Sequence, residues 1–338
     1  DRPDIPVDWD NLAPPDLTLA PVDWDSLPTP YELTPFYALE EDGNVRITNL
    51  GDTIVVWNRS DLGNLLYFAE DPAFCCPSLA GRVAEGSAQW LDEPGGAVSV
   101  SISINDDRLK DGTIDGYYLE FTVDRNNWTV LESEFTSDVG DGTLELSEQE
   151  MVYTAQVLST LMRDAEWTAA ADVTLFPQHP DLNRNGVPEE IRLYSHEGVQ
   201  RLYVLEDGTP IHSEEGYSAH AGWNALFLCT LDGENYLLSY SPTMYQGFCD
   251  YGYELYTLEG NGKKVVRQNS VSFDINIGSP MFQEGGYDPD EIADFMEEIN
   301  ELLSHSVQLL NTDQDLLGTF EKEGRLEDTL WFLHIEPE

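Results

Sequence analysis

Positive charge is what this sequence most lacks. Lys and Arg together number 16 against 64 Asp and Glu, a formal net charge of −48 at pH 7. A surface that negative repels phosphate backbones and anionic headgroups, which argues against nucleic acid as a partner and against docking on anionic membranes. Long apolar runs are also missing. No stretch approaches the roughly 20 residues that a spanning helix needs, so no membrane insertion by this segment is expected. Cysteine is scarce, with Cys75, Cys76, Cys229 and Cys249 only, and none stands in a CxxC pair, so neither a zinc nor a redox site is signalled. A bridge between the neighbours Cys75 and Cys76 would be strained. A disulfide Cys229–Cys249 across neighbouring strands and four buried thiols both stay open.

Complete catalytic motifs are absent as well. His196-Glu197 is followed by Gly198-Val199-Gln200, not by the spacing of a zinc peptidase, and none of the four lysines has Ser three residues before it. Gly216-Tyr217-Ser218-Ala219-His220 ends in His where a nucleophile elbow needs Gly. Gly260-Asn261-Gly262-Lys263-Lys264 precedes a strand pattern, whereas a phosphate-cradling loop precedes a helix.

What is present is enough for two ordinary domains. The chain has 338 residues, 41% hydrophobic and 11% aromatic. Residues 1–35 carry eight prolines and a repeat, Pro6-Val7-Asp8-Trp9-Asp10-Asn11-Leu12 and Pro21-Val22-Asp23-Trp24-Asp25-Ser26-Leu27. Proline suppresses helix and central strand, so this segment is expected to be an acidic stalk, with Trp9 and Trp24 packing back onto the body. The start, Asp1-Arg2-Pro3-Asp4, leads us to expect that a secretion signal, lipid anchor or membrane domain precedes it. From Tyr37 onward short β-branched runs alternate with turn residues, and Val98–Ile104 alternates cleanly between apolar residues and serine. Ser147 and Glu150 make a capping box before Met151, Ala155, Leu158 and Met162, which predicts a helix over 148–164. Further strands follow. A second helix is capped by Asp288 and opened by Pro289, with a stripe from Ile292 through Ile299 and Leu303 to Leu310. The fold class expected is α+β: mainly antiparallel sheet with two amphipathic helices, in two related strand-then-helix modules, 36–168 and 169–338.

The most informative motif is Asp181-Leu182-Asn183-Arg184-Asn185-Gly186-Val187-Pro188-Glu189. Oxygen side chains fall at positions 1, 3, 5 and 9, Gly sits at position 6, and Val187 can offer its carbonyl. A hard cation needs such a dense oxygen shell. The motif resembles the DxDxDG-type calcium loops of FG-GAP and related extracellular repeats. That resemblance implies one structural calcium on Asp181, Asn183, Asn185, Val187 and Glu189, weakened because only Asp181 and Glu189 are charged. With the stretch 288–300 and Leu309-Leu310-Asn311-Thr312, it is also similar to lipoproteins and ectodomains of Gram-positive gut bacteria. Some of these resemble the extracellular part of β-lactam-sensor-type membrane metallopeptidases, whose peptidase signature is lacking here. Tyr245, Phe248, Tyr251 and Tyr253 are candidates for a sugar-stacking platform, although such runs are more often cross-strand core pairs. The function expected is a non-enzymatic, extracytoplasmic domain, secreted or tethered at the cell surface, that binds or senses a glycan or protein ligand. The alternative is a secreted carbohydrate-active hydrolase.

Overall fold

The computed structural model of the chain describes residues 19–51, 53–60, 63–82, 84–91, 96–104, 117–137, 145–216, 218–219, 222–245, 248–260, 262–274 and 289–311. The chain divides into two compact units, Asp1–Ala170 and Ala171–Glu338. It is rich in strands arranged in three antiparallel sheets, with two α-helices among the described residues. None of the described helices is long and apolar enough to cross a membrane.

In the first unit eight strands pair in chain order: β1 (Phe36–Leu39), β2 (Val45–Thr48), β3 (Ile54–Ser60), β4 (Gly63–Glu70), β5 (Ala84–Leu91), β6 (Ala97–Ile104), β7 (Tyr117–Asp124) and β8 (Val130–Ser137). The period-2 alternation of β6 does what it dictates: Val98, Val100, Ile102 and Ile104 are buried, and the serines between them are half-buried. Helix α1 (Glu148–Ala170) lies on the apolar face, with Ala155, Leu158, Leu161, Met162 and Ala165 fully buried among the strand residues. Ser147 Oγ accepts the N–H of Glu150 at 3.2 Å, as the capping box requires. The box does not close, however. The Glu150 carboxylate is buried and accepts the Ser78 N–H at 2.8 Å, pinning the two 3-10 turns Pro72–Phe74 and Pro77–Leu79 to the helix.

Residues 19–35, expected as the end of a stalk, lie against this unit. Leu19 and Leu33 pack on its core, Pro30 is buried, and the Trp24 ring meets Tyr153 edge-on at 6.0 Å. Tyr153 in turn donates to the Pro28 carbonyl at 3.1 Å. Trp24 thus packs back onto the body as expected, and Leu19, Leu33 and Pro30 are seated there with it; Trp9 and residues 1–18 lie outside the described residues.

The second unit has three layers. Strands β9 (Asp172–Leu175), β10 (Glu190–His196), β11 (Val199–Glu206) and β12 (Thr209–Gly216) form one sheet in the order β12-β11-β10-β9. A larger sheet is built on β15 (Ala225–Leu231), β16 (Glu234–Tyr245), β17 (Phe248–Glu259) and β18 (Gly262–Asp274), with the small hairpin β13 (Ser218–Ala219) and β14 (Gly222–Trp223) alongside β16. Helix α2 (Pro289–Ser304) begins at the predicted proline but stops before Leu310. The chain turns into β19 (Ser306–Asn311), which pairs with β15, so Leu309 and Leu310 are strand residues. Asp288, the expected cap, lies outside the described residues. One face of the large sheet packs on α2 through Phe227, Tyr240 and Tyr251 against Phe295 and Ile299. The other packs on the small sheet through Leu226, Leu228, Leu237 and Tyr256 against Ile191, Leu202 and Val204. β15 is consequently buried on both sides, which is why it reads Ala-Leu-Phe-Leu-Cys without alternation.

Candidate functional site

The loop Asp181–Glu189 enters β10 and is built around its own side-chain oxygens. Arg184 (φ 62°) and Gly186 (φ 87°) adopt the left-handed region and bend the chain back on Asp181. Asp181 accepts the N–H of Asn185 at 3.1 Å on one oxygen and that of Gly186 at 3.0 Å on the other. Asn183 Oδ1 accepts the Asn185 N–H at 3.1 Å, and Asn185 Oδ1 the Val187 N–H at 2.7 Å. The amide nitrogens of Asn183 and Asn185 both donate to Glu206 of β11, Asn183 at 2.8 Å. Leu182, fully buried, plugs the loop into the core, and its carbonyl accepts the Leu258 N–H at 3.0 Å. Arg184 reaches across to Glu234 and to the Asn235 carbonyl.

Glu189 is the unusual member. Its side chain is fully buried; Oε2 accepts the Leu182 N–H at 2.7 Å, and Oε1 has no hydrogen-bond partner among the described residues. Burial pushes its carboxyl above the usual range, outweighing the N–H groups of Leu182 and Asn183, and Asp181 adds to the rise. The expected ligand residues therefore share one loop. Their oxygens mostly cap backbone N–H groups, and Val187 is engaged through its N–H. Among the described residues no three His, Cys, Asp or Glu converge as a metal centre. A carboxylate oxygen that accepts one N–H keeps a further lone pair, so Asp181 and the orphan oxygen of Glu189 fit a hard cation chemically.

The aromatic candidates separate. Tyr251 and Tyr253 are buried against α2, the Tyr253 ring 6.0 Å from Phe295, and Tyr253 also borders the groove on these strands. Burial raises the Tyr253 phenol, with Glu298 adding to it. Tyr245 and Phe248 oppose each other at the β16–β17 end, and their side chains lie outside the described part of the structure. The reverse face of the same strands is polar. In register across β16, β17 and β18 stand Thr243–Asp250–Ser272, Ser241–Gly252–Ser270 and Ser239–Glu254–Gln268. Most of these residues line a groove of about 750 Å³. Ser272 Oγ donates to Asp250 at 2.8 Å, which leaves that carboxylate with further acceptor sites.

A cluster that sequence spacing does not disclose joins the two sheets of this unit. Glu214 Oε1 receives Lys263 Nζ at 2.6 Å, the Tyr256 hydroxyl at 3.2 Å and His212 Nε2 at 3.2 Å. Burial alone would raise the Glu214 carboxyl, but the hydrogen bonds from His212 and Lys263 and the Lys263 charge hold it down at about 2. A carboxylate so fully engaged is an anchor and a poor general base.

Cys229 and Cys249 form no disulfide. Strand β16 lies between their strands, β15 and β17, and both are buried thiols, as are Cys75 and Cys76. Burial raises the Cys75, Cys76 and Cys229 thiols, Glu150 adding to the first two, so thiolate chemistry is suppressed. No protein-family model, curated protein or solved structure matches the chain.

Proposed function

We propose that the chain is a non-enzymatic binding or sensing domain, exported and held at the cell surface, whose ligand face is the polar groove on β16, β17 and β18. The observation that carries this is the lining: short hydroxyls, two amides and two carboxylates on the sheet, with Gly252 at the centre leaving the backbone approachable. Such a surface offers many hydrogen bonds and little apolar area, which suits a hydroxyl-rich glycan better than an apolar ligand. Export and tethering are supported by the acidic, proline-rich N-terminal sequence and by the likeness of the Asp181–Glu189 loop to extracellular calcium loops. Calcium on Asp181 and Glu189, completed by amide and backbone oxygens, would be structural, because the loop supplies no group placed as a general base.

The hydrolase alternative finds no support in the groove. Asp250 and Glu254 are four residues apart on one strand, about 13 Å along the chain at the usual rise, wider than the roughly 5–9.5 Å between glycosidase carboxylates. Screening the protein on a glycan array, beside a hydrolysis assay on the same glycans, tests the proposal. Binding without turnover is expected, weakened at least tenfold by Asp250→Ala or Glu254→Ala with the melting temperature unchanged. Turnover abolished by either change would show an enzyme, and an array without binders would remove the groove as a glycan site.

A further inference from the structure

The first unit carries a second cavity that owes nothing to the groove. It measures about 360 Å³, and its lining includes Tyr31, Arg125, Trp128, Gln156, Ser159 and Arg163. Its charge is opposite to that of the protein. In a chain with 16 basic residues among 64 acidic ones, basic side chains should find carboxylates readily, and Arg46, Arg192, Arg201, Lys263 and Arg267 do. Arg125 has no acidic partner among the described residues. Its guanidinium carbon sits over the Trp90 ring, 3.5 Å from the centroid, a contact with the ring face that uses none of its N–H donors on a carboxylate. Among the described residues the one acidic partner of Arg163 is the adjacent Asp164, at 3.4 Å, and its side chain is 66% exposed.

The aromatic wall is equally unexpected. Trp128 closes the β7–β8 hairpin, donating its N–H to the Asp124 carbonyl at 2.8 Å, and has φ 55°. That left-handed position suits Gly or Asn, and an indole there carries a backbone cost. Tyr31 stands beside it 79% exposed. Ser159 Oγ, buried beneath, has no hydrogen-bond partner among the described residues.

We propose that this cavity binds a small carboxylate built on a single ring. The two guanidiniums receive the carboxylate, Trp128 and Tyr31 cover the ring, and Gln156 and Ser159 serve its polar substituents. The volume lies at the small end for ligand sites, which begin at about 300 Å³, so the occupant is a monomer and not a chain. Anions are otherwise repelled by this protein, so capture here is selective for a ligand that fits.

The test is calorimetric titration of the whole chain with benzoate and glucuronate, with benzyl alcohol and glucose as uncharged counterparts and inorganic phosphate as charge without a ring. At least one acid should bind with a dissociation constant of a few millimolar or tighter, and its uncharged counterpart at least tenfold more weakly. Arg163→Ala, at an exposed position, should weaken binding about tenfold or more, as loss of a charged hydrogen bond does, without moving the melting temperature; Arg125→Ala should do the same to binding. Equal binding of acid and counterpart, equal binding of phosphate, binding that survives both arginine changes, or no binding of either acid would each overturn the proposal. The groove in the second unit is untouched by these variants, so the glycan reading stands or falls separately.

Discussion

Gly86 shows how tightly single positions are set. It pairs with Phe68 across β4 and β5, and a Cβ there would lie 1.9 Å from the buried ring. Gly86→Ala, ordinarily harmless in a strand, should therefore cost about 1–3 kcal/mol as overpacking, seen as a lower urea midpoint at unchanged slope; Phe68→Leu in the same chain should relieve most of it. Glu214 sets a second expectation. Its carboxyl is held at about 2 in the folded protein against 4.5 for the ordinary group, so its contribution is complete above pH 4.5 and is lost as pH falls toward 2. Glu214→Gln should lower stability at pH 7 by on the order of 2 kcal/mol and flatten the acid limb of the denaturation profile. At this scale legibility depended on sequence separation. The oxygens of Asp181–Glu189 could be seen because nine consecutive residues supply them, whereas His212, Glu214, Tyr256 and Lys263 meet only once three strands are assembled.

Elements with one clear period were legible, and those whose pattern is set by neighbours were not. β6 alternates and α1 repeats at helical spacing, and each has a single partner face. β12 reads Thr-Pro-Ile-His-Ser-Glu-Glu-Gly and lies at a sheet edge, where Pro210 and polar residues are tolerated, so no alternation betrays it. Tyr251 and Tyr253 on β17 read as a platform because alternation says which residues share a face but not which face is covered; α2 covers theirs. The loop before β10 is the element on which calcium should act. Calcium at a few millimolar should raise the melting temperature, given affinities of about 10⁻⁴–10⁻³ M for extracellular modules, and Asp181→Ala should abolish that rise and leave the protein folded. Absence of binding heat at about 10 mM calcium, roughly ten times the weak end of that range, would mark the loop as a turn closed by hydrogen bonds alone.

Across the whole molecule the dominant quantity is the net charge of −48. Self-repulsion on that scale destabilises compact states and is screened within about 8–10 Å at 0.1–0.15 M salt. Raising sodium chloride from about 10 to 150 mM should therefore lift the melting temperature, and the lift should persist in Asp181→Ala, separating general screening from a specific calcium effect. The two units also differ in how their chains close. In the first, every strand of the sheet pairs with the one before it, so structure can accumulate as the chain emerges during synthesis. In the second, β15 keeps one edge open until Ser306–Asn311 arrives, some eighty residues later, and that edge belongs to the most apolar strand of the sheet. A nascent or truncated chain ending before Ser306 would carry an unpaired Ala-Leu-Phe-Leu-Cys edge, a template for strands of other chains. Strand β19 thus acts as the molecule's own chaperone, and proteolysis between α2 and β19 should make the second unit prone to aggregate.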